Sequence, residues 1–488
     1  MRVSISANDN ILRRTMIHDD EKSGGARARG VAPPRLAKLE WLLFLSLWLA
    51  YGVAVNSGNL EAFTLQQAGV EAYVERGHLY LEGSRVPALQ VKPVVDAFLF
   101  GGHVYPAKQP GQFMAGALAY LPLRALGLSY SGDYLLTAAL VTFLTASLMT
   151  AAASVAIFRT ARAFAPDSSR RVFWPLVAAL SYGLGSTAFA YSGIAWHDSL
   201  AAGYLALALC LTLRLARGGV GRQSAHAFGA GALLGLTVTT SMLPFPMTAI
   251  AGLYFLTLRR WRLLPFFVAG GLAGLAPLLV YNAVCFGNPL LPANVAGDYA
   301  DTFFKPSWGN FAAKSVFYAR MLTLYAPVFW AGLAGLALFP RRLRRERLLL
   351  CGMLLAHAAY VLNIEADGTC QWGPRYMLPA MPLACLGLAG FATLRGSTAR
   401  RAAALSVSAC ALASAFINMV GAAYGAMLCY FPHWAVGRYL SEMWAGGARA
   451  HPLAAWLALP LCVSAALLAR ELAARARDSG MTPPPPEW

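Results

Sequence analysis

The stretch Arg341-Arg342-Leu343-Arg344-Arg345 lies between two apolar runs, 321–339 and 348–363. Four arginines in five positions are too costly for hydrocarbon, so this is a short loop joining two membrane spans. Lys and Arg of such loops stay on the cytoplasmic side. The side this loop occupies therefore depends on whether the chain crosses the membrane an even or an odd number of times before it. One ambiguous segment sets that parity. Phe113–Leu126 is apolar, yet suits an interfacial helix as well as a crossing.

Working outward, stretches with the roughly 20 apolar residues of a span occur near 39–55, 134–157, 172–190, 198–213, 227–245, 247–258, 263–284, 321–339, 348–363, 376–394, 402–424 and 452–469. Pro244 and Pro246 suit a tight turn between the fifth and sixth. If Phe113–Leu126 does not cross and the N-terminus is cytoplasmic, the inside segments are 1–38, 158–171, 214–226, 259–262, 340–347, 395–401 and the tail from 470. These hold 29 of the 40 Lys and Arg and 9 of the 22 Asp and Glu, an excess of +20, which leaves −2 for the rest. If the segment crosses, every later basic loop falls outside, against the positive-inside rule. The sequence thus predicts an all-α, polytopic helical membrane protein of about twelve transmembrane helices. Both termini are cytoplasmic, and a long first outer loop, 56–133, carries interfacial helices. Residues 1–38 read as a basic, disordered tail, 39–470 as the transmembrane domain, and 471–488 as a second tail ending in Thr482-Pro-Pro-Pro-Pro-Glu-Trp488.

Composition agrees. Of 488 residues, 58% are hydrophobic and 13% charged, against about 45–50% and about 25% in soluble domains. The net charge of +18 would suggest nucleic acid in a soluble protein. Partitioned as above, it records orientation, and no nucleic-acid partner is expected. Eight cysteines show no metal-ligand spacing; Cys370 and Cys429 fall in loops on one side and are a candidate disulfide.

The span interiors hold almost no ionisable residue. His357 is the exception, read as a packing histidine, while Glu40 and Asp198 stand at span ends. Translocation of protons or ions usually needs charges near mid-membrane, so a proton-coupled transporter is disfavoured. A lipid flippase or other multipass lipid or solute transporter is the rival class, beside a non-catalytic envelope protein. The outer loops are richer. They contain Asp96-Ala-Phe-Leu-Phe-Gly-Gly-His103-Val-Tyr105-Pro-Ala-Lys108-Gln-Pro110-Gly111, then Tyr191-Ser-Gly-Ile-Ala-Trp196-His197-Asp198, then Gln371-Trp372-Gly373-Pro374-Arg375-Tyr376. The 297–308 loop mixes aromatics with charge and suits either a cover over substrate or an interfacial belt.

At these motifs the sequence resembles the C-type (GT-C) polytopic membrane glycosyltransferases, such as the protein O-mannosyltransferases and the lipid A aminoarabinose transferase. Gly102-His103-Val-Tyr105-Pro-Ala-Lys108-Gln-Pro110-Gly111 is similar to the "GHYYSxKxPG" pattern of bacterial members. The turn ending at Asp198 resembles a second outer motif, and Gly373-Pro374-Arg375-Tyr376-Met-Leu-Pro379 resembles "GPRYLxP". The layout of one span, a long outer loop and then many spans extends the likeness over most of the chain.

The resemblance implies transfer of a sugar, hexose or pentose, from a polyprenyl-phosphate donor. The acceptor is a glycan, lipid or protein on the periplasmic face of a bacterial inner membrane, and the displacement is inverting. A catalytic carboxylate takes the acceptor's proton, and Glu61, Asp96 and Asp198 are the candidates. Arg375 and Lys108 are candidates for the departing phosphate. His103, Tyr105, His197 and Tyr376 are candidate substrate-binding groups. The histidines also suit a divalent metal, but no ligand spacing indicates one and no cofactor is assigned. The apolar tail needs a groove among the membrane lipid, with Phe113–Leu126 as an expected wall. One departure matters: family members usually carry an early Asp in the first outer loop, where this chain reads Asn56-Ser-Gly-Asn59-Leu-Glu61. If no other carboxylate substitutes, the chain is an inactive relative.

Overall fold

The computed structural model describes residues 34–55, 61–86, 96–165, 172–218, 221–299, 304–366, 368, 372–424, 435–445 and 452–480. The expected N-terminal tail up to residue 33, the C-terminal residues from 481 and both loop cysteines, Cys370 and Cys429, lie outside them. Every one of the twelve apolar stretches is occupied by helix. Among the described residues, seven helices are long and apolar enough to cross a membrane, or eight if one bent pair counts as a single span. This is the architecture of an integral membrane protein.

The chain opens with α1 (Pro34–Val53), α2 (Glu61–Glu71), α3 (Gly111–Ala125) and the long α4 (Tyr134–Phe164). There follow α5 (Phe173–Gly183), α6 (Thr187–Ser192), α7 (His197–Arg217), α8 (Gln223–Thr240), α9 (Phe245–Thr257) and α10 (Leu264–Phe286). Then come α11 (Trp308–Tyr325), α12 (Val328–Ala337), α13 (Arg344–Val361), α14 (Arg375–Thr393), α15 (Ser397–Tyr424), α16 (Val436–Trp444) and α17 (Pro452–Gly480). Helix thus continues past residue 470, where a tail was expected.

Helix α3 has 15 residues, about 22 Å at 1.5 Å per residue, too short for a hydrocarbon layer of about 30 Å. One face, Phe113, Gly116 and Tyr120, is buried, while Leu118, Leu121 and Leu126 are exposed. Tyr120 Oη donates to Glu75 Oε1 (2.5 Å), and Glu75 also accepts from Tyr130 N at 3.0 Å. The helix is thereby tied to the start of the chain's outer loop.

Two expected spans are not continuous. The 321–339 run bends by 105° between α11 and α12. Pro327 cannot donate a backbone N–H and forces Ala326 out of the helical region (φ −146°, ψ 56°). The 172–190 run breaks between α5 and α6, where Ser186 is extended and caps Ala188 N. The segment between α2 and α3 also contains what an all-helical reading omits, a two-stranded hairpin. β1 (Ala97–Phe100) pairs antiparallel with β2 (His103–Pro106), Phe98 opposite Tyr105. Gly101 and Gly102, both at positive φ, supply the two-residue turn.

Helices α8 and α10 meet along glycines. A Cβ on Gly270 would lie 2.0 Å from the carbonyl oxygen of Phe228, and one on Gly231 as close to that of Phe267. Small residues four apart let membrane helices touch backbone to backbone, and Thr239 Oγ1 donates to Gly274 O at 2.8 Å across the seam. Gly270→Ala should therefore destabilise, even though helix propensity alone favours Ala by about 1 kcal/mol, because overpacking costs about 1–3 kcal/mol. Gly252→Ala in α9, where nothing lies within 4 Å, should hold or raise the thermal midpoint in micelles. Equal shifts for the two variants would contradict the seam.

Candidate active site

Three separate pieces of the chain converge. The first is the end of α6 and the start of α7, where Trp196, His197 and Asp198 are all buried. Asp198 stands in the first turn of α7, where the helix's positive end favours a carboxylate. Its Oδ1 accepts from Ser241 Oγ (2.8 Å) and its Oδ2 from Trp196 Nε1 (3.0 Å). Gln66 of α2 donates its amide to His197 Nδ1 (3.4 Å), which leaves His197 Nε2 carrying the hydrogen toward Asp198 Oδ1, also at 3.4 Å.

The second piece is the Gly373-Pro374-Arg375 turn. Gly373 has φ +64°, and a Cβ there would crowd Thr187 and Tyr325, so the position needs glycine. The turn delivers Arg375 to the cluster with its guanidinium carbon 5.0 Å from the Trp196 ring and 4.7 Å from the Tyr376 ring. Arg375 is buried, and its Nε has no hydrogen-bond partner. His357 donates from Nε2 to the carbonyl of Tyr376 at 2.7 Å, fixing the turn from α13. The sequence reading of His357 as a packing residue matches that bond.

The third piece is the hairpin with the segment after it. Lys108 Nζ lies 3.0 Å from Asp96 Oδ2 and 5.9 Å from the Trp196 ring. Asp96 sits at φ +66°, a left-handed conformation that Asp tolerates through its short polar side chain, and its carbonyl accepts from Ala107 N at 2.7 Å. Burial, the largest single influence, raises the Asp96 carboxyl, but Lys108, Arg375 and His197 together hold the group below the usual carboxylate range. The Asp96 side chain is 29% exposed, whereas Asp198 is fully enclosed. Accessibility thus separates the two aspartates.

Lys108, His197, Arg375 and Tyr376 share the wall of one polar pocket with Gln109, Ser241, Asn294 and Tyr360. Gln109 Nε2 donates to Asn294 Oδ1 at 3.3 Å. The 304–308 segment packs beside it: Phe304 bridges Ile364, and Lys305 N donates to Asn363 O (2.8 Å). His103 and Tyr105 go elsewhere. His103 stacks on Tyr80 and lies 3.6 Å from Glu82, while Tyr105 packs among Phe98 and Phe286, and burial raises its phenol. Glu61 is the first residue of α2, and its side chain lies outside the described residues.

The sequence did not single out Trp196, Ser241 or Gln66. Trp196 adjoins His197 and Asp198, but nothing in its spacing shows that its ring lies within 6 Å of two cations, Lys108 and Arg375. Among the described residues no group of three or more His, Cys, Asp or Glu is gathered to hold a metal.

A large apolar groove begins beside this site at Met377, between α11, α12 and α13, lined by Tyr318, Leu322, Phe329, Leu333 and Leu354. No residue of α3 lines it. The 105° bend carries α12 across the end of α11 and so opens the groove.

No protein-family model matches the sequence, and no curated protein matches it. Solved structures do. ArnT from Cupriavidus metallidurans bound to undecaprenyl phosphate superposes with a TM-score of 0.51 at 16% identity, over 90% of this chain and 78% of that one. Its apo state gives a TM-score of 0.48 at 17% identity, over 89% and 76%. The archaeal oligosaccharyltransferase AglB from Archaeoglobus fulgidus, in complex with an inhibitory peptide and a dolichol-phosphate, gives 0.44 at 12% identity, over 81% and 56%. Over most of its length this chain thus shares the fold of ArnT.

Proposed function

We propose that the protein transfers a sugar from a polyprenyl-phosphate donor to an acceptor at the outer membrane face, by inverting displacement. The observation that carries this reading is Arg375: a buried guanidinium within 5.0 Å of two aromatic rings, with an unpartnered Nε, beside the Met377 end of an apolar groove. That combination suits an anionic headgroup on a long apolar tail. ArnT, which shares the fold, was solved with undecaprenyl phosphate.

In this reading the tail lies along α11–α13 and the phosphate meets Arg375 and Lys108. Asp96, ionised and accessible, takes the proton of the acceptor hydroxyl as its oxygen bonds to the anomeric carbon. The bond from that carbon to the phosphate oxygen breaks, and polyprenyl phosphate leaves with the electron pair. Arg375 stabilises the growing charge on that oxygen. Asp198 is enclosed and acts by position, holding Trp196 and His197 and balancing Arg375. His197 and Tyr376 contribute to the pocket's wall; His103, Tyr105 and Glu61 receive no role.

The purified protein, given a short-chain prenyl-phosphate sugar and a mixture of envelope lipids and glycans, should release free prenyl phosphate, scored by mass spectrometry. Release no faster than in protein-free vesicles, across hexose and pentose donors, would contradict the reading. Lys108→Met should also change the pH profile. Without the lysine, burial dominates at Asp96 and its pKa rises, so the acid limb of kcat/KM should move to higher pH. An unmoved limb would remove Asp96 as the base.

A further inference from the structure

A second site stands on the face of the bundle opposite the candidate active site. Asp198 and Arg214 lie at opposite ends of α7, about 24 Å apart along its axis. At the Arg214 end a groove opens between α1, α4, α7 and α8. Its walls include Phe44, Leu148, Val155, Leu207, Leu211 and Leu233, and its mouth is formed by Glu40, Trp41, Arg159 and Arg214.

Charge at the mouth is unbalanced. Glu40 is buried, and its Oε2 accepts from Arg159 Nε (3.0 Å) and Nη2 (2.8 Å), while its Oε1 lies 3.8 Å from Arg162. One carboxylate thus answers two arginines. Arg214 is exposed, with no ion pair among the described residues, so the groove's lining holds two cations, Arg159 and Arg214, and one carboxylate, Glu40. Arg159 remains 46% exposed despite its pairing. Trp41, 64% exposed, flanks the mouth, as aromatic rings do at headgroup depth. A surplus of positive charge at the end of an apolar slot between helices suits an anionic headgroup carrying an acyl chain. It suits neither a peptide, whose backbone would find few polar groups along these walls, nor a zwitterionic lipid, whose own cation would meet the arginines.

We propose that this groove binds one anionic phospholipid of the leaflet opposite the candidate active site. Its phosphate is held by Arg214 and Arg159, and one acyl chain lies between α1, α4, α7 and α8. The site is independent of the reaction proposed above.

The test is native mass spectrometry of the delipidated full-length protein, titrated separately with phosphatidylglycerol, with phosphatidylcholine of the same chains and with glycerol phosphate. Phosphatidylglycerol should form a one-to-one adduct at least tenfold more tightly than phosphatidylcholine. R214Q should weaken it about fivefold, the effect of one arginine near a headgroup. Leu211→Trp, which fills the slot, should weaken both lipids. Arg395→Gln, an exposed arginine elsewhere, should change neither. Equal binding of the two lipids, an unchanged phosphatidylglycerol affinity in R214Q, or glycerol phosphate binding as well as the lipid would each overturn the proposal.

Discussion

Asp96→Asn should slow sugar transfer by two to four orders of magnitude while leaving the fold intact. A positioned base contributes about 10²–10⁴-fold, and Asn cannot accept the proton. The same substitution is mild structurally. Asn tolerates the left-handed backbone at this position as Asp does, and Lys108 keeps solvent contact at 16% exposure. Stability should fall by no more than about 1 kcal/mol, the usual scale of a partly exposed ion pair. Asp198→Asn separates the two carboxylates. It removes an enclosed charge opposite a buried guanidinium, a change costing about 3–5 kcal/mol, so its main signature should be a lowered thermal midpoint. Rates of prenyl-phosphate release, with melting curves for both variants, decide the matter. If D96N keeps more than a tenth of wild-type activity, Asp96 is not the base.

Replacing Arg375 should be comparably severe, and a charge-conserving replacement should not help. Loss of one preorganised group that stabilises developing negative charge costs about 10²–10³-fold in kcat. Lysine keeps the charge, but its compact, strongly hydrated ammonium cannot replace the guanidinium's contacts with the Trp196 and Tyr376 rings or present a fork to phosphate. Both Arg375→Lys and Arg375→Ala should therefore lose at least a hundredfold in kcat. The alanine variant should also melt earlier, because Asp198 is left buried without its neighbouring cation. Kinetics with saturating donor distinguish this from weakened binding, which would appear in KM alone. An R375K enzyme within threefold of wild type would show that charge suffices and that the planar geometry is incidental.

Much of this architecture is legible in the residues. Each apolar run became helix because hydrocarbon leaves the backbone no other partners than its own. The motif residues Lys108, His197, Asp198, Arg375 and Tyr376 share one pocket wall or adjoin it, as their common side of the membrane implied. The hairpin was also readable in principle: Gly101-Gly102 between Ala-Phe-Leu-Phe and His-Val-Tyr-Pro is a two-residue turn signal. Four-residue strands are too short to show a period of their own, so the loop's sequence alone names no strand there. Ser241 was not readable. It reaches Asp198 across 43 positions of sequence only because α7 and α8 pack side by side. The bend at Pro327 follows from a proline in an apolar run, but its 105° angle depends on what α12 packs against, namely α14 through Gly332 and Gly335. His103 and Tyr105 carried the motif's signature, yet their rings serve the hairpin's own aromatic packing.

The pairing of α1 with α17 has a consequence for how the chain is made. Lys38 near the start of α1 lies 3.2 Å from Glu471 of α17, and Leu468 and Leu472 pack on the cluster containing Leu39, Leu43 and Leu47. Helix α1 therefore receives one of its neighbours only after more than four hundred further residues have been added. Until then that flank of α1 faces lipid or an assembly factor. A ribosome stalled before α17 should leave an opening beside α1, so quality control that senses α1 would in effect be checking whether α17 has been made.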